Sequence, residues 1–173
     1  MTFNNITLRL APLAAAVLAL ANHGAQAQAT GEPLKVVYSS WTKFCLKGSD
    51  AKEFCYTRLD GKTEAGHEAV AAMVIEPTGQ ATKTLRIVLP LGMQLAPGTR
   101  IAVDNKPLRQ APFVICFSIG CISDYDFTSQ LLSELRTGRN LAIEATNTPG
   151  ERVVRQVPLD GFNKSFDGPP VKR

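Results

Sequence analysis

The 173-residue chain carries 19 Lys and Arg against 15 Asp and Glu, a net charge of +4, with 2 His and 4 Cys. A balance this mild, without a clustered basic stripe, argues against a nucleic-acid partner. Beyond the N-terminus no stretch has the uncharged apolar length that crosses a bilayer, so no transmembrane span is expected in the mature chain.

The chain opens with a polar segment whose one charge is Arg9, followed by an almost wholly apolar run over 10–21. Ala25-Gln26-Ala27 then supplies the small-x-small pattern of a cleavage site. This predicts a signal peptide over 1–27, with Ala29 an alternative end, and a single disulfide-stapled β-rich domain over 28–173. An uncleaved anchor is the alternative, but the apolar run is short for one. Cleavage removes only Arg9, leaving 18 basic against 15 acidic residues and a charge of +3.

The mature part reads as short strands separated by turn residues. Residues 36–41 mix β-branched and aromatic types and predict a strand. Lys47-Gly48-Ser49-Asp50 is a polar loop, and 54–59 is a second strand ending at the turn pair Asp60-Gly61. Residues 68–76 are alanine-rich at first, but their β-branched end and Pro77 favour a strand. In 83–90, Leu85, Ile87 and Leu89 alternate with Thr84, Arg86 and Val88, and Pro90 stops the ladder. An apolar loop over 91–95 follows, then a strand over 99–103 ended by Asp104-Asn105. Residues 108–116 are expected to form a strand with a bend or edge position at Pro112, turning through Phe117-Ser118-Ile119-Gly120 into a return strand over 121–125. Residues 127–135 form the best helix candidate, capped by Thr128 and ended by Gly138. Strands over 141–146 and 153–157 flank Thr148-Pro149-Gly150, and a short helical turn is expected within 159–166. The pattern predicts an all-β architecture, mainly an antiparallel sandwich or barrel-like domain, with one or two short helices.

All four cysteines lie beyond the leader, and an even count in an exported chain favours disulfides over metal or redox thiols. Their spacings, C-x9-C and C-x4-C, are not the C-x2-C of zinc or thioredoxin-like sites. Of three pairings, Cys45–Cys55 and Cys116–Cys121 are expected, because each pair flanks a plausible hairpin turn. Trp41, Phe44 and Phe113 are expected to be core aromatics covering these bridges, and Arg86 and Arg100 to lie on solvated strand faces.

Trp41 with Cys45 and Cys55, Leu89-Pro90-Leu91-Gly92-Met93, Pro97-Gly98-Thr99-Arg100, Ile115-Cys116 with Gly120-Cys121, and Phe162 before Asp167-Gly168-Pro169-Pro170 occur in this order. On these residues the chain resembles the bacterial invasion-associated locus B family over most of its mature length. The resemblance implies an exported protein of the Gram-negative envelope, periplasmic, outer-membrane-associated or secreted. In a host-associated member the family is linked to entry into host cells. It implies no catalytic residues.

Catalysis has little to draw on. With His23 lost in the leader, His67 is the remaining imidazole, and no G-x-S-x-G elbow accompanies it. Asp124 and Asp126 share one face of a strand and could act as an acid–base pair, but carboxylates also gather before helix starts for electrostatic reasons. No cofactor or metal is expected. The leading expectation is therefore a non-enzymatic envelope protein that binds another protein or an envelope component. Leu91, Met93, Leu95, Phe117 and Ile119 are its candidate surface. A hydrolase using His67 or Asp124 and Asp126, and a structural or stress-related protein without a specific ligand, are the alternatives.

Overall fold

Strands that bury one face must alternate along their length. Burial does so on the best-patterned segment: Leu85, Ile87 and Leu89 are buried while Thr84, Arg86 and Val88 are half-buried. The computed structural model describes residues 34–47, 53–77, 79 and 82–171. The leader expected over 1–27, most of the polar loop at 48–50, and Lys172-Arg173 lie outside the described residues.

The strands are β1 (Val36–Tyr38), β2 (Thr42–Lys47), β3 (Glu53–Thr63), β4 (Glu68–Pro77), β5 (Thr84–Leu89), β6 (Thr99–Val103), β7 (Lys106–Ala111), β8 (Phe113–Phe117), β9 (Gly120–Asp126), β10 (Asn140–Thr146) and β11 (Arg152–Pro158). The helices are α1 (Ser129–Thr137) and α2 (Phe162–Asp167). One antiparallel sheet runs β1-β3-β4-β5-β9-β8, with β2 also pairing β3; the other runs β11-β10-β6-β7. The expected all-β class with short helices is what forms.

Leu59, Val70, Val74, Leu85 and Ile87 from the first sheet join Ile101, Leu141, Ile143 and Val157 from the second in one buried cluster. The helices add Leu131, Leu135, Phe162 and Phe166. Full burial of a side chain such as Phe162 contributes about 1.5–3 kcal/mol. Trp41 meets Phe162 edge-on at 5.1 Å, and its indole Nε1 donates to the Pro158 carbonyl at 2.8 Å. Ser165 Oγ donates back to the Trp41 carbonyl. These contacts fasten the α2 segment beside β2.

Several elements depart from expectation. The first strand divides, because Trp41 turns into the core between β1 and β2. Asp60-Gly61 is not a turn; β3 continues to Thr63, and the chain reverses at Glu64-Ala65-Gly66. Gly61 serves close packing instead, since a Cβ there would lie 2.6 Å from the Tyr38 ring. Phe44 lies half-buried beside Tyr56 rather than in the main core cluster, and Arg86 is paired rather than simply solvated. The strand expected over 108–116 breaks at Pro112, which passes the chain from β7 in one sheet to β8 in the other. Asp104 and Asn105 both take positive φ (46° and 69°), the conformation a tight two-residue hairpin requires. Helix α1 has the expected cap: Thr128 Oγ1 accepts from Leu131 N–H, and the Gly138 N–H closes the other end on Glu134.

Candidate interaction surface

Both cysteine pairs are bridged as expected, Cys45 to Cys55 and Cys116 to Cys121. Each bridge joins residues directly opposite in an antiparallel ladder, β2 with β3 and β8 with β9. This placement makes them fastenings of strand register. The second bridge holds β8, an outermost strand of the seven-stranded sheet, against β9.

The β8–β9 hairpin presents an apolar surface. Val114, Ile115, Phe117 and Ile119 are all exposed, with Ile119 reaching 67%. Gly120 makes the turn possible: a Cβ there would meet the Leu89 carbonyl oxygen at 2.3 Å, so the hairpin lies close on the end of β5. Ile119 and Pro90 share a groove of about 200 Å³ with Val88, Ala71 and Met73, rimmed by Arg58 and Glu68. Leu91 and Leu95, in the loop that follows, are each 56% exposed.

Met93 differs from its neighbours in that loop. It bridges to Asn147 and packs against the core, while Gln94 N–H donates to the Thr146 carbonyl and Thr148 N–H to the Gly92 carbonyl. The loop is thus pinned to the β10–β11 turn, with Met93 as its inward anchor and Leu91 and Leu95 facing solvent. Of the five residues expected on the surface, Leu91, Leu95, Phe117 and Ile119 are exposed. Sequence reasoning missed Val114 and Ile115, because exposure of a strand depends on its place at the sheet edge.

The corner feeding β8 is held by a buried polar contact. Thr99 on β6 and Tyr125 on β9 bring their hydroxyls to 2.6 Å, tying the two sheets together. Burial raises the Tyr125 phenol to about 12 against the opposing effects of its bonds to Thr99 and the Ala111 backbone. Ala111 precedes Pro112, so this knot sits where the chain crosses between sheets.

Of the catalytic candidates, Asp124 is tied up in an ion pair, while His67 and Asp126 are exposed. His67 is exposed in the β3–β4 turn, its backbone N–H donating to Thr63 Oγ1; Glu64 and Glu68 beside it pair with Lys35 and Lys62. Both Asp124 oxygens accept from Arg86, at 2.8 and 2.7 Å, and this contact raises the Arg86 pKa. Asp126 is exposed, and its backbone carbonyl accepts from Thr128. A larger groove of about 870 Å³ lies between the β1–β2 segment and the α2 region, lined by Tyr38, Lys43, Asp160 and Lys164 among others. Among the described residues no three His, Cys, Asp or Glu side chains are grouped to hold a metal, and no helix is long and apolar enough to cross a membrane.

Comparison with known proteins gives a consistent result. The family described as invasion associated locus B (IalB) protein matches residues 41–170. An invasion protein B homolog of Brucella abortus strain 2308 is 22% identical over 135 residues, covering 78% of each chain. The homolog from Brucella abortus biovar 1 strain 9-941 matches to the same extent. The crystal structure of invasion associated protein b from Bartonella henselae superposes with a TM-score of 0.65 at 19% identity, covering 76% of this chain and 92% of that one.

Proposed function

The chain belongs to the invasion associated locus B family, and on that premise we propose that it is an exported, non-enzymatic envelope protein acting through the apolar β8–β9 end. Its partner is another protein or an envelope component, and the surface is Phe117, Ile119, Leu91 and Leu95. The observation that supports this reading is the gathering of exposed large apolar side chains on a disulfide-held hairpin and the loop beside it. A soluble surface scatters such residues singly; contiguous ones mark contact sites. Export follows from the leader expected over 1–27, with the mature domain in the periplasm, on the outer membrane or secreted. The Brucella relatives are named invasion proteins, which extends the proposal to host-cell contact.

The test is retention on the cell envelope. Ile119→Lys combined with Leu91→Lys should release the protein from isolated envelopes while leaving its melting temperature unchanged. Retention equal to the unaltered protein would overturn the assignment of this surface.

A further inference from the structure

Strands at sheet edges carry unpaired N–H and C=O groups, and proteins guard them with charge, short length or cover. Most edges here are guarded. β1 is three residues long; β2 carries Lys43 and Lys47, and the Val171 N–H donates to the Lys43 carbonyl. In the second sheet, β7 carries Lys106 and Arg109, and β11 carries Arg152 and Arg155. β8 differs in lacking charge: Pro112 and the irregularity near its start guard its first residues, and 115–117 are left open. No charge occurs from Pro112 to Gly120, and among the described residues β8 pairs on one side only, with β9.

The register identifies which groups β8 offers. Phe117 pairs with Gly120 around the turn Ser118-Ile119, and Cys116 pairs with Cys121 at a Cα separation of 4.0 Å. That is the close spacing of a non-hydrogen-bonded pair, about 4.5 Å against about 5.5 Å for a bonded one. The Cys116 N–H and C=O therefore point away from β9, toward the open edge. Ile115 and Phe117, on either side, are exposed. The ladder slips between Phe113 and Ile115, so the bulge occupies the start of the strand and leaves 115–117 regular.

We propose that β8 pairs antiparallel with β8 of a second copy about a two-fold axis at Cys116, joining the two seven-stranded sheets. The outward Cys116 N–H of each copy donates to the Cys116 carbonyl of the other. Ile115 then lies opposite Phe117 of the second copy, and Phe117 opposite Ile115, an aromatic–β-branched pair at each place. With no charge on the strand, self-pairing sets no like charges against each other. A seam this short buries less than the ~1,200 Å² of stable complexes. The dimer is accordingly weak, with a dissociation constant on the order of 10–100 µM. The antiparallel seam places the two hairpin tips at its opposite ends.

Sedimentation velocity of the processed protein across that concentration range reads the equilibrium. Ile115→Lys and Phe117→Asp, each alone, should weaken dimerisation at least ten-fold, with circular dichroism and melting unchanged. An equimolar mixture of the two should restore it, because the ammonium introduced in one variant then faces the carboxylate introduced in the other in the proposed register. Val37→Lys, an equally apolar exposed site on β1, should change nothing. If either seam variant fails to fold, amide exchange of the unaltered protein serves instead: Cys116 should gain protection as concentration rises. Monomers at every concentration, variants that dimerise normally, a mixture that shows no rescue, or a Cys116 amide indifferent to concentration would each overturn the proposal. Envelope retention is measured separately with the Ile119 and Leu91 variant, so either reading can fail without the other.

Discussion

Tyr125→Phe should be among the most damaging single-atom deletions in the protein. The lost hydroxyl serves two partners: Thr99 Oγ1 at 2.6 Å and the Ala111 backbone. Thr99 is fully buried and Tyr125 is 3% exposed, so water does not readily replace the missing oxygen. Each buried polar group left without a partner costs about 1–3 kcal/mol, which places the variant about 2–4 kcal/mol below the parent. Thr99→Val removes the opposite oxygen and leaves the buried phenol O–H without that partner, and should cost about 1–3 kcal/mol. The double variant should then be no less stable than Tyr125→Phe, because Val no longer strands a hydroxyl. Urea unfolding of the four proteins measures this directly, with a coupling of about 1–3 kcal/mol expected for groups in contact. Additive losses would show that the two hydroxyls do not act as one unit at the sheet corner. The pH dependence has a definite sign. Since the folded phenol ionises near pH 12 and the unfolded one near 10, the unfolded state sheds its proton first, and this contribution is lost as pH rises through that window.

Replacing Cys116 and Cys121 by Ala should destabilise the chain by about 2 kcal/mol, and replacing Cys45 and Cys55 by nearly 3 kcal/mol, on the loop-entropy scale; equal denaturant midpoints with and without the bridges would contradict this. His67→Ala should leave biological activity unchanged, since the imidazole is exposed and its neighbouring carboxylates are paired with lysines; an activity lost with the fold intact would restore the hydrolase reading. Asp104 accepts the Arg139 and Asn140 N–H groups, which lowers its pKa, so its stabilisation is present above the unfolded value and lost as pH falls through the folded one. Asp104→Asn, which tolerates the same positive φ, should therefore flatten the acid limb of the melting curve; an unchanged limb would refute the assignment.

What could be read in the sequence was local. The alternation in 83–90 reports burial on one face, and Thr128 and Gly138 mark the helix because caps act within one turn. The cysteine pairing was legible for the same reason, as both bridges span neighbouring strands. Contacts distant in sequence were not legible. Gly61 looks like a turn residue until Tyr38, more than twenty positions earlier, is seen lying over it. Met93 belongs to an apolar loop, and only its bridge to Asn147 turns it inward. Phe117 and Ile119 were surface candidates from the sequence, but their place at a hairpin turn left their exposure open. That of Val114 and Ile115 follows from strand order, with β8 outermost, which no local pattern encodes.

The central claim is that the β8–β9 tip and the loop beside it meet a partner in the envelope. Photo-crosslinking amino acids placed singly at Ile119, Leu91 and Val37 test it in intact cells, since all three positions are exposed and apolar but Val37 lies on the opposite sheet edge. One shared adduct is expected from positions 119 and 91, and none of that species from position 37. The same adducts from all three positions, or none from 119 and 91, would contradict it.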